Sequence, residues 1–262
     1  MVSTGTIIIM SIVGLAAFLL PFLFILVLRR WFQIQWIPII IGAVTFIVFA
    51  MVLEQISHFF ILRPGVDGTI PLLETSPWLY VLYGVLAAGI FEETGRLVAF
   101  LLMKRRYGKL DTAISYGIGH GGAEAMIILG LGMVNAIVFS VLINSGSSIL
   151  DGLPPETLES VTGTANHMYI LSIVERAFAI SVHIGFSVIV WVSVMKKGKW
   201  WLFPVAILLH ALTNGTSAMM QAGLLSSIWL VYAGFIIMTA VTLWVAYMVG
   251  RKQSESGQRD TA

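Results

Sequence analysis

Long apolar stretches recur along the chain, separated by short polar segments. As helices, stretches of about 20 mostly apolar residues span a bilayer, and seven such stretches lie at 7–28, 36–55, 78–103, 112–145, 165–195, 201–220 and 224–249. The stretch 112–145 would be about 50 Å long as one helix. We therefore expect it to tilt, to break near Gly130 and Gly132, or to project beyond the bilayer. The pattern predicts an all-α, polytopic membrane helix bundle with about seven transmembrane helices.

Basic residues between these stretches predict the orientation. They gather in four places, namely Arg29 with Arg30, 104–109, 196–199, and Arg251 with Lys252. With seven spans and the N-terminus outside, all four lie on one side, which the positive-inside rule makes cytoplasmic. The loops on the other side, 56–77 and 146–164, carry Arg63 as their only basic residue. We expect an outer N-terminus and a cytoplasmic C-terminus.

Composition supports a membrane protein. Hydrophobic residues make up 58% of the 262 residues and charged residues 11%, against about 45–50% and about 25% in soluble domains. This excludes a soluble enzyme and a nucleic-acid-binding protein, and the lack of cysteine excludes disulfides, thiolate metal sites and a cysteine nucleophile. We predict a single transmembrane domain over 1–252 in the cell membrane, embedded in the lipid bilayer, and a disordered polar tail over 253–262.

Polar side chains occur inside four predicted spans at a common depth. Six of them lie 9 to 14 residues from the cytoplasmic ends of their helices, namely Glu92, His120, Glu124, His183, His210 and Asn214. This places them roughly 13–21 Å below that face. Ionisable side chains at bilayer depth cost several kcal/mol and indicate function by default. Four helices therefore present polar groups in one layer.

Helical spacing sorts these residues into faces. Positions four apart share a face, which pairs Glu92 with Arg96, His120 with Glu124, and His210 with Asn214. Glu93 lies beside Glu92, so that two carboxylates share one arginine and form a coupled set.

Other spacings predict packing. Gly117 and Gly121 are four apart and predict the close approach of another helix. Glu54, His58, Glu175 and Arg176 lie nearer the outer face, and we interpret them as structural pairs, Glu54 with Arg176 among them.

Three short motifs follow one another on successive helices: Glu92-Glu93-x-x-Arg96, Tyr116-x-x-x-His120 and His210-x-x-x-Asn214. Together they resemble the glutamate-type CAAX protease and bacteriocin-processing (CPBP) family of intramembrane proteases, especially its YhfC-like membrane peptidases, over about 78–220. The chain departs from the family pattern in two ways. The family commonly has Glu-Glu-x-x-x-Arg, one residue longer, and His183 lies on an additional span before His210. We prefer His120 as the family's middle histidine because Tyr116 precedes it in register, whereas Ala179 precedes His183.

The resemblance implies an intramembrane endopeptidase that acts on a membrane-associated protein or peptide. Glu92 with His120 would activate a water molecule, and His210 with Asn214 would stabilise the oxyanion. Glu93 and Arg96 would orient Glu92 or hold a substrate group. Because the polar layer lies nearer the cytoplasmic face, we expect substrate access from that side or laterally from lipid.

The sequence is compatible with a protease that needs a metal and with one that does not. In a metalloprotease variant, His120, His183 and His210 would bind Zn²⁺, and Glu92 or Glu124 would serve as base or fourth ligand. The chain lacks the H-E-x-x-H motif, so a metal-free glutamate protease is the other alternative.

Two further classes of protein carry buried polar residues. A proton-coupled transporter uses them as relays, although the sequence shows no repeated halves. A membrane scaffold or immunity-type protein uses them as contacts between helices. Several titratable groups at one depth favour an enzyme.

Overall fold

The computed structural model describes residues 1–65, 67–150 and 161–259, with the side chains of 252–259 left aside. Its α-helices are α1 (Thr4–Leu28), α2 (Trp36–Phe46), α3 (Gln55–Leu62), α4 (Pro71–Thr75), α5 (Pro77–Met103), α6 (Leu110–Glu124), α7 (Gly132–Ser145), α8 (Asn166–Met195), α9 (Leu202–Gln221) and α10 (Ile228–Arg259). π-Helical segments join α2 to α3 (Ile47–Glu54) and α6 to α7 (Ala125–Leu131), and a 3₁₀ turn follows at Ser148–Leu150. The described residues contain no strand, which confirms the all-α fold.

Six helical stretches among the described residues are long and apolar enough to cross a membrane. They are Thr4–Leu28, Trp36–Leu62, Leu110–Ser145, Asn166–Met195, Leu202–Gln221 and Ile228–Arg251. Helix α5 is 27 residues long and packs against α8 and α9, but Glu92, Glu93 and Arg96 lie within it. The multi-pass membrane bundle is thus confirmed, while α5 as a seventh span, and the orientation, stay predictions.

The long stretch beginning at Leu110 forms one continuous helix rather than two spans. It runs through Ser145 and widens into the π-helical segment Ala125–Leu131, which contains Gly130 and ends just before Gly132. π-Helical segments often occur at functional sites. The second π-helical segment, Ile47–Glu54, ends at Glu54, which is buried.

Helix α6 is the central helix, and residues 112–123 are buried throughout. Glycine makes this possible, because a Cβ at Gly119 would lie 1.9 Å from the carbonyl oxygen of Ile39 on α2. On the other side, a Cβ at Gly117 would lie 2.6 Å from the Cα of Ile184 on α8. The predicted close approach at the Gly117 and Gly121 face is therefore confirmed, and it brings the polar residues of α6 next to those of α8.

The main hydrophobic core lies on the side of the polar layer that faces the four groups of basic residues. These groups, the basic clusters, are 29–30, 104–109, 196–199 and 251–252. Its buried members include Phe100, Tyr116, Ile189, Leu202 and Ala206. Large apolar side chains are exposed along the outer helix faces, as on α1 at Ile12 and Leu15, which suits contact with lipid. The prediction of a disordered tail at 253–262 concerns residues whose side chains, and for 260–262 the backbone, lie outside the described residues.

Candidate functional site

Helices α5 and α6 meet at Glu92 and His120. Glu92 Oε2 lies 2.8 Å from His120 Nε2, and His120 is completely buried. The other ring nitrogen, His120 Nδ1, is buried without a hydrogen-bond partner among the described protein atoms. Unsatisfied polar atoms of this kind are rare in folded proteins and call for an explanation such as an ion.

Helix α8 adds His183 to the same place. The ring centroids of His120 and His183 are 4.8 Å apart. His183 Nδ1 lies 3.1 Å from Arg96 Nη2, and His183 Nε2 lies 2.7 Å from Glu124 Oε2. Arginine only donates hydrogen bonds, so Nδ1 accepts from Arg96, and the neutral ring carries its proton on Nε2, toward the Glu124 carboxylate. An ion held by His183 would take the Nδ1 lone pair in place of Arg96, because a neutral imidazole has only one.

Helix α9 brings His210 against Glu93. His210 Nδ1 lies 2.8 Å from Glu93 Oε1, and Arg96 donates to the same carboxylate oxygen. The ring of Phe186 stacks on His210 with centroids 4.7 Å apart and an interplanar angle of 6°. Glu93 and Arg96 are both completely buried, and they hold His210 and His183 in place from behind.

Glu124 on α6 is engaged by Arg176 on α8. Arg176 donates to Glu124 Oε1 at 2.6 Å and to Glu175 Oε1 at 2.5 Å. The predicted pair of Glu54 with Arg176 is therefore wrong. The glycine-mediated approach of α6 and α8 brings Glu124 to Arg176, and Glu54 instead lies 3.3 Å from His58, four residues further along its own helix.

A cavity of about 560 Å³ opens above this cluster. Of the predicted site residues, Glu92, Glu124, His183, His210 and Asn214 line it. The structure thus brings the predicted residues of four helices together. Glu93, Arg96 and His120 lie behind the cavity wall, and the roles of all these residues stay predictions.

The cavity also bears on the expected route of access. Its wall runs from Glu92 and His210 to Leu62, Tyr80 and Gln221, at the helix ends away from the basic clusters. This geometry does not favour access from the predicted cytoplasmic face, because large side chains of the core fill that side of the cluster, and lateral access from lipid stays a prediction. Counting residues from a helix end measures depth but does not reveal at which end the helices separate.

Donor atoms in the cluster suit a metal ion. Among the described residues, Glu92, His120 and His183 each offer one ligand atom, and these atoms lie within 4.8 Å of one another. Two imidazoles with one carboxylate are a catalytic zinc donor set, with a fourth position left for water. The predicted set was His120, His183 and His210. His210 is not in this group, although its Nε2 lies 3.8 Å from Glu92 Oε1.

Comparison with known proteins shows to which family the chain belongs. The family model of the YhfC intramembrane metalloprotease matches residues 16–236. The chain belongs to this family. A Bacillus subtilis (strain 168) relative, described as an uncharacterized membrane protein YhfC, is 34% identical over 232 residues, which cover 86% of this chain and 89% of the relative. No solved structure matches the chain significantly.

Membership of the YhfC family confirms the resemblance to YhfC-like peptidases and the assignment as a multi-pass membrane protein. The family's description supports a membrane protease, and the Glu92, His120 and His183 group is compatible with a metal such as zinc. The wider relation to CAAX proteases stays a prediction.

Sequence reasoning missed two contacts. Spacing places Arg96 near Glu93, yet nothing in it indicates the contact with His183 on another helix. Phe186 lies three residues after His183, and that spacing was the one available signal for an aromatic ring at the site.

Proposed function

We propose that this chain is a zinc-dependent intramembrane endopeptidase that hydrolyses membrane-associated proteins or peptides through a water molecule activated at Glu92. The observation that carries the proposal is the contact of Glu92 with His120 at the buried end of a cavity, within 4.8 Å of a third donor on His183. Glu92, His120 and His183 would hold the ion. A bound zinc ion supplies a Lewis acid that acidifies water and polarises a peptide carbonyl.

Glu92 is the carboxylate best placed to accept a proton. Glu93 is paired with Arg96, and Glu124 and Glu175 are paired with Arg176. Among these four carboxylates, Glu92 alone has no arginine partner. Its Oε2 faces His120, whereas its Oε1 lies 3.8 Å from His210 Nε2 on the cavity side. With Oε2 as the ligand of the ion, the free Oε1 would take the proton of the attacking water.

The remaining steps use groups on α9. As the water oxygen bonds to the carbonyl carbon, the carbonyl oxygen gains negative charge. Asn214, which lines the cavity one turn beyond His210, would donate its amide N–H to that oxygen. His210 would donate from Nε2 when it is protonated on both nitrogens. Glu92 then passes its proton to the departing amine as the peptide C–N bond breaks.

Zinc content and cleavage, measured together, test the proposal. We expect about one zinc per protein purified in lipid nanodiscs, and loss of zinc in His120→Ala and His183→Ala. His167→Ala is the matched control, because this exposed histidine lies at the start of α8, away from the cluster. Cleavage of a peptide library, read by mass spectrometry, should stop with a chelator and return with zinc. Cleavage by zinc-free protein would contradict the metal dependence, and pH-dependent ion flux without any peptide product would contradict the protease.

A further inference from the structure

The cavity next to the cluster is closed at one end and open at the other. Along α5 its wall runs from Glu92 to Tyr80, about 18 Å of helix. Along α9 the wall runs from His210 to Gln221, about 16 Å, and ends where that helix ends. Leu62, the last residue of α3, completes the rim. The open end therefore lies beside Leu62 and Gln221, the last residues of α3 and α9.

The closed end faces the basic clusters. Below Glu92 on α5, Arg96 and Phe100 are at most 1% exposed, and Leu202 and Ala206 on α9 are equally buried. Interiors packed to this degree leave few voids larger than a water molecule. A substrate that reaches Glu92 through the cavity comes from the side of Leu62 and Gln221, the outer face under the positive-inside rule.

Charge along the cavity wall has one dominant sign. Four glutamates line it, namely Glu54, Glu92, Glu124 and Glu175, against one arginine, Arg176. With neutral histidines the formal charge of the lining is −3, and a bound divalent cation would leave it at −1. Low-dielectric walls focus the field of such charges and raise the local concentration of counter-ions.

Size limits the form of the substrate. A volume of about 560 Å³ is that of a pocket for a small ligand, within the usual range of about 300–1,000 Å³. A spanning helix of about 30 Å length and 10–12 Å diameter is several times larger. Only a short, unwound segment of a protein substrate fits above Glu92.

We propose that the site receives an extended, positively charged peptide segment from the face opposite the basic clusters, through the cavity between α5, α8 and α9. This inference rests on the proposed function for the cleavage itself, but the route and its charge preference are properties of the cavity alone. The segment's Lys or Arg side chains would lie along the wall formed by Glu54 and Glu175 while the scissile bond reaches Glu92.

Single-cysteine labelling tests the route, because the chain has no cysteine of its own. Ala88→Cys and Ser217→Cys place a thiol on the cavity wall. Exposed Thr69→Cys reports the loop at the open end and exposed Lys197→Cys the opposite face, while Ala206→Cys is the buried control. Membrane-impermeant methanethiosulfonates, one cationic and one anionic, are applied to either side of sealed vesicles.

We expect both cavity thiols to react from the side on which Thr69→Cys reacts. The cationic reagent should be favoured by on the order of tenfold beyond its preference at Thr69→Cys. Tetralysine should slow labelling of Ser217→Cys, and tetraglutamate should not. Labelling from the Lys197→Cys side, equal rates for both reagents, or labelling as slow as at Ala206→Cys would overturn the proposal.

The same measurements in a Glu92→Gln background separate the two proposals. The side from which the thiols react should be unchanged there, because the route does not depend on catalysis, and the preference for the cationic reagent should become smaller, because one of the four carboxylates of the wall is removed. Sided, cation-selective labelling of a protein that never cleaves a peptide would leave the route standing and remove the protease. Cleavage by a protein whose cavity thiols react from the Lys197→Cys side would leave the protease standing and remove the route.

Discussion

Arg96 on α5 joins Glu93 of its own helix to His183 on α8, with Nη2 3.1 Å from His183 Nδ1 and the whole arginine side chain buried. A buried guanidinium is stable only when it is paired, and removal of one partner from such a pair costs about 3–5 kcal/mol. The planar fork of arginine reaches two acceptors at once, which the single ammonium of lysine does not reproduce.

Arg96→Lys should therefore lower the stability of the protein, since one ammonium group does not reach both Glu93 and His183 although the positive charge is kept. Thermal unfolding in nanodiscs measures the effect. Arg105→Lys, at an exposed position in the turn that follows α5, is the matched control and should leave the melting temperature unchanged. An unchanged melting temperature in Arg96→Lys would show that the joint contact with Glu93 and His183 contributes little to stability.

Glu92→Gln should abolish cleavage while the protein stays folded. The amide occupies the same space as the carboxylate but cannot accept the proton of water, and loss of a general base lowers rates by about 10²–10⁴-fold. Product formation from the peptide library, measured under single-turnover conditions, gives the ratio. Glu74→Gln replaces an exposed carboxylate of α4 and should cleave at the wild-type rate. Full activity in Glu92→Gln would assign the base to another residue.

Gly119→Ala should destabilise the bundle more than any ordinary glycine substitution in a helix. Its Cβ would lie 1.9 Å from the carbonyl oxygen of Ile39, so α2 and α6 must move apart, and overpacking of this kind costs about 1–3 kcal/mol. Gly132→Ala is the matched control. Its Cβ would meet nothing within 4 Å, and alanine is favoured over glycine in a helix by about 1 kcal/mol.

The melting temperatures of the two variants should consequently move in opposite directions from that of the wild type. Because α6 also carries His120, Gly119→Ala should lose zinc as well. Equal melting temperatures for the two variants would mean that α2 and α6 have room for a methyl group at Gly119, in contradiction to the distances between their backbones.

Helix geometry explains which parts of the site could be predicted from the sequence. A constant rise per residue made the depth of Glu92, His120 and His210 a matter of counting, and the structure gathers these residues as expected. The constant number of residues per turn likewise indicates which residues of a helix share a face. Depth and face are both properties of a single helix, so they can be worked out without knowing how the helices pack.

Contacts between helices were predicted less well, because they depend on how each helix is rotated and tilted against the others. Spacing could not reveal that Arg96 reaches His183, or that Arg176 selects Glu124 rather than Glu54. The position of the cavity's open end could not be predicted for the same reason, since it depends on where α3, α5 and α9 diverge. Glycine was the one exception, because Gly117 marked the face at which α6 meets α8.

The partner of Arg176 can be established by double-mutant cycles. Residues in direct contact show interaction energies of about 0.5–3 kcal/mol, whereas residues that share no partner add to within about 0.5 kcal/mol. Arg176 donates to Glu124 at 2.6 Å, so the cycle of Arg176→Met with Glu124→Gln should show coupling in the free energy of unfolding. The cycle of Arg176→Met with Glu54→Gln should be additive, because Glu54 faces His58. Coupling in the second cycle and additivity in the first would restore the pairing that the sequence first indicated, and it would free Glu124 to compete with Glu92 as the proton acceptor.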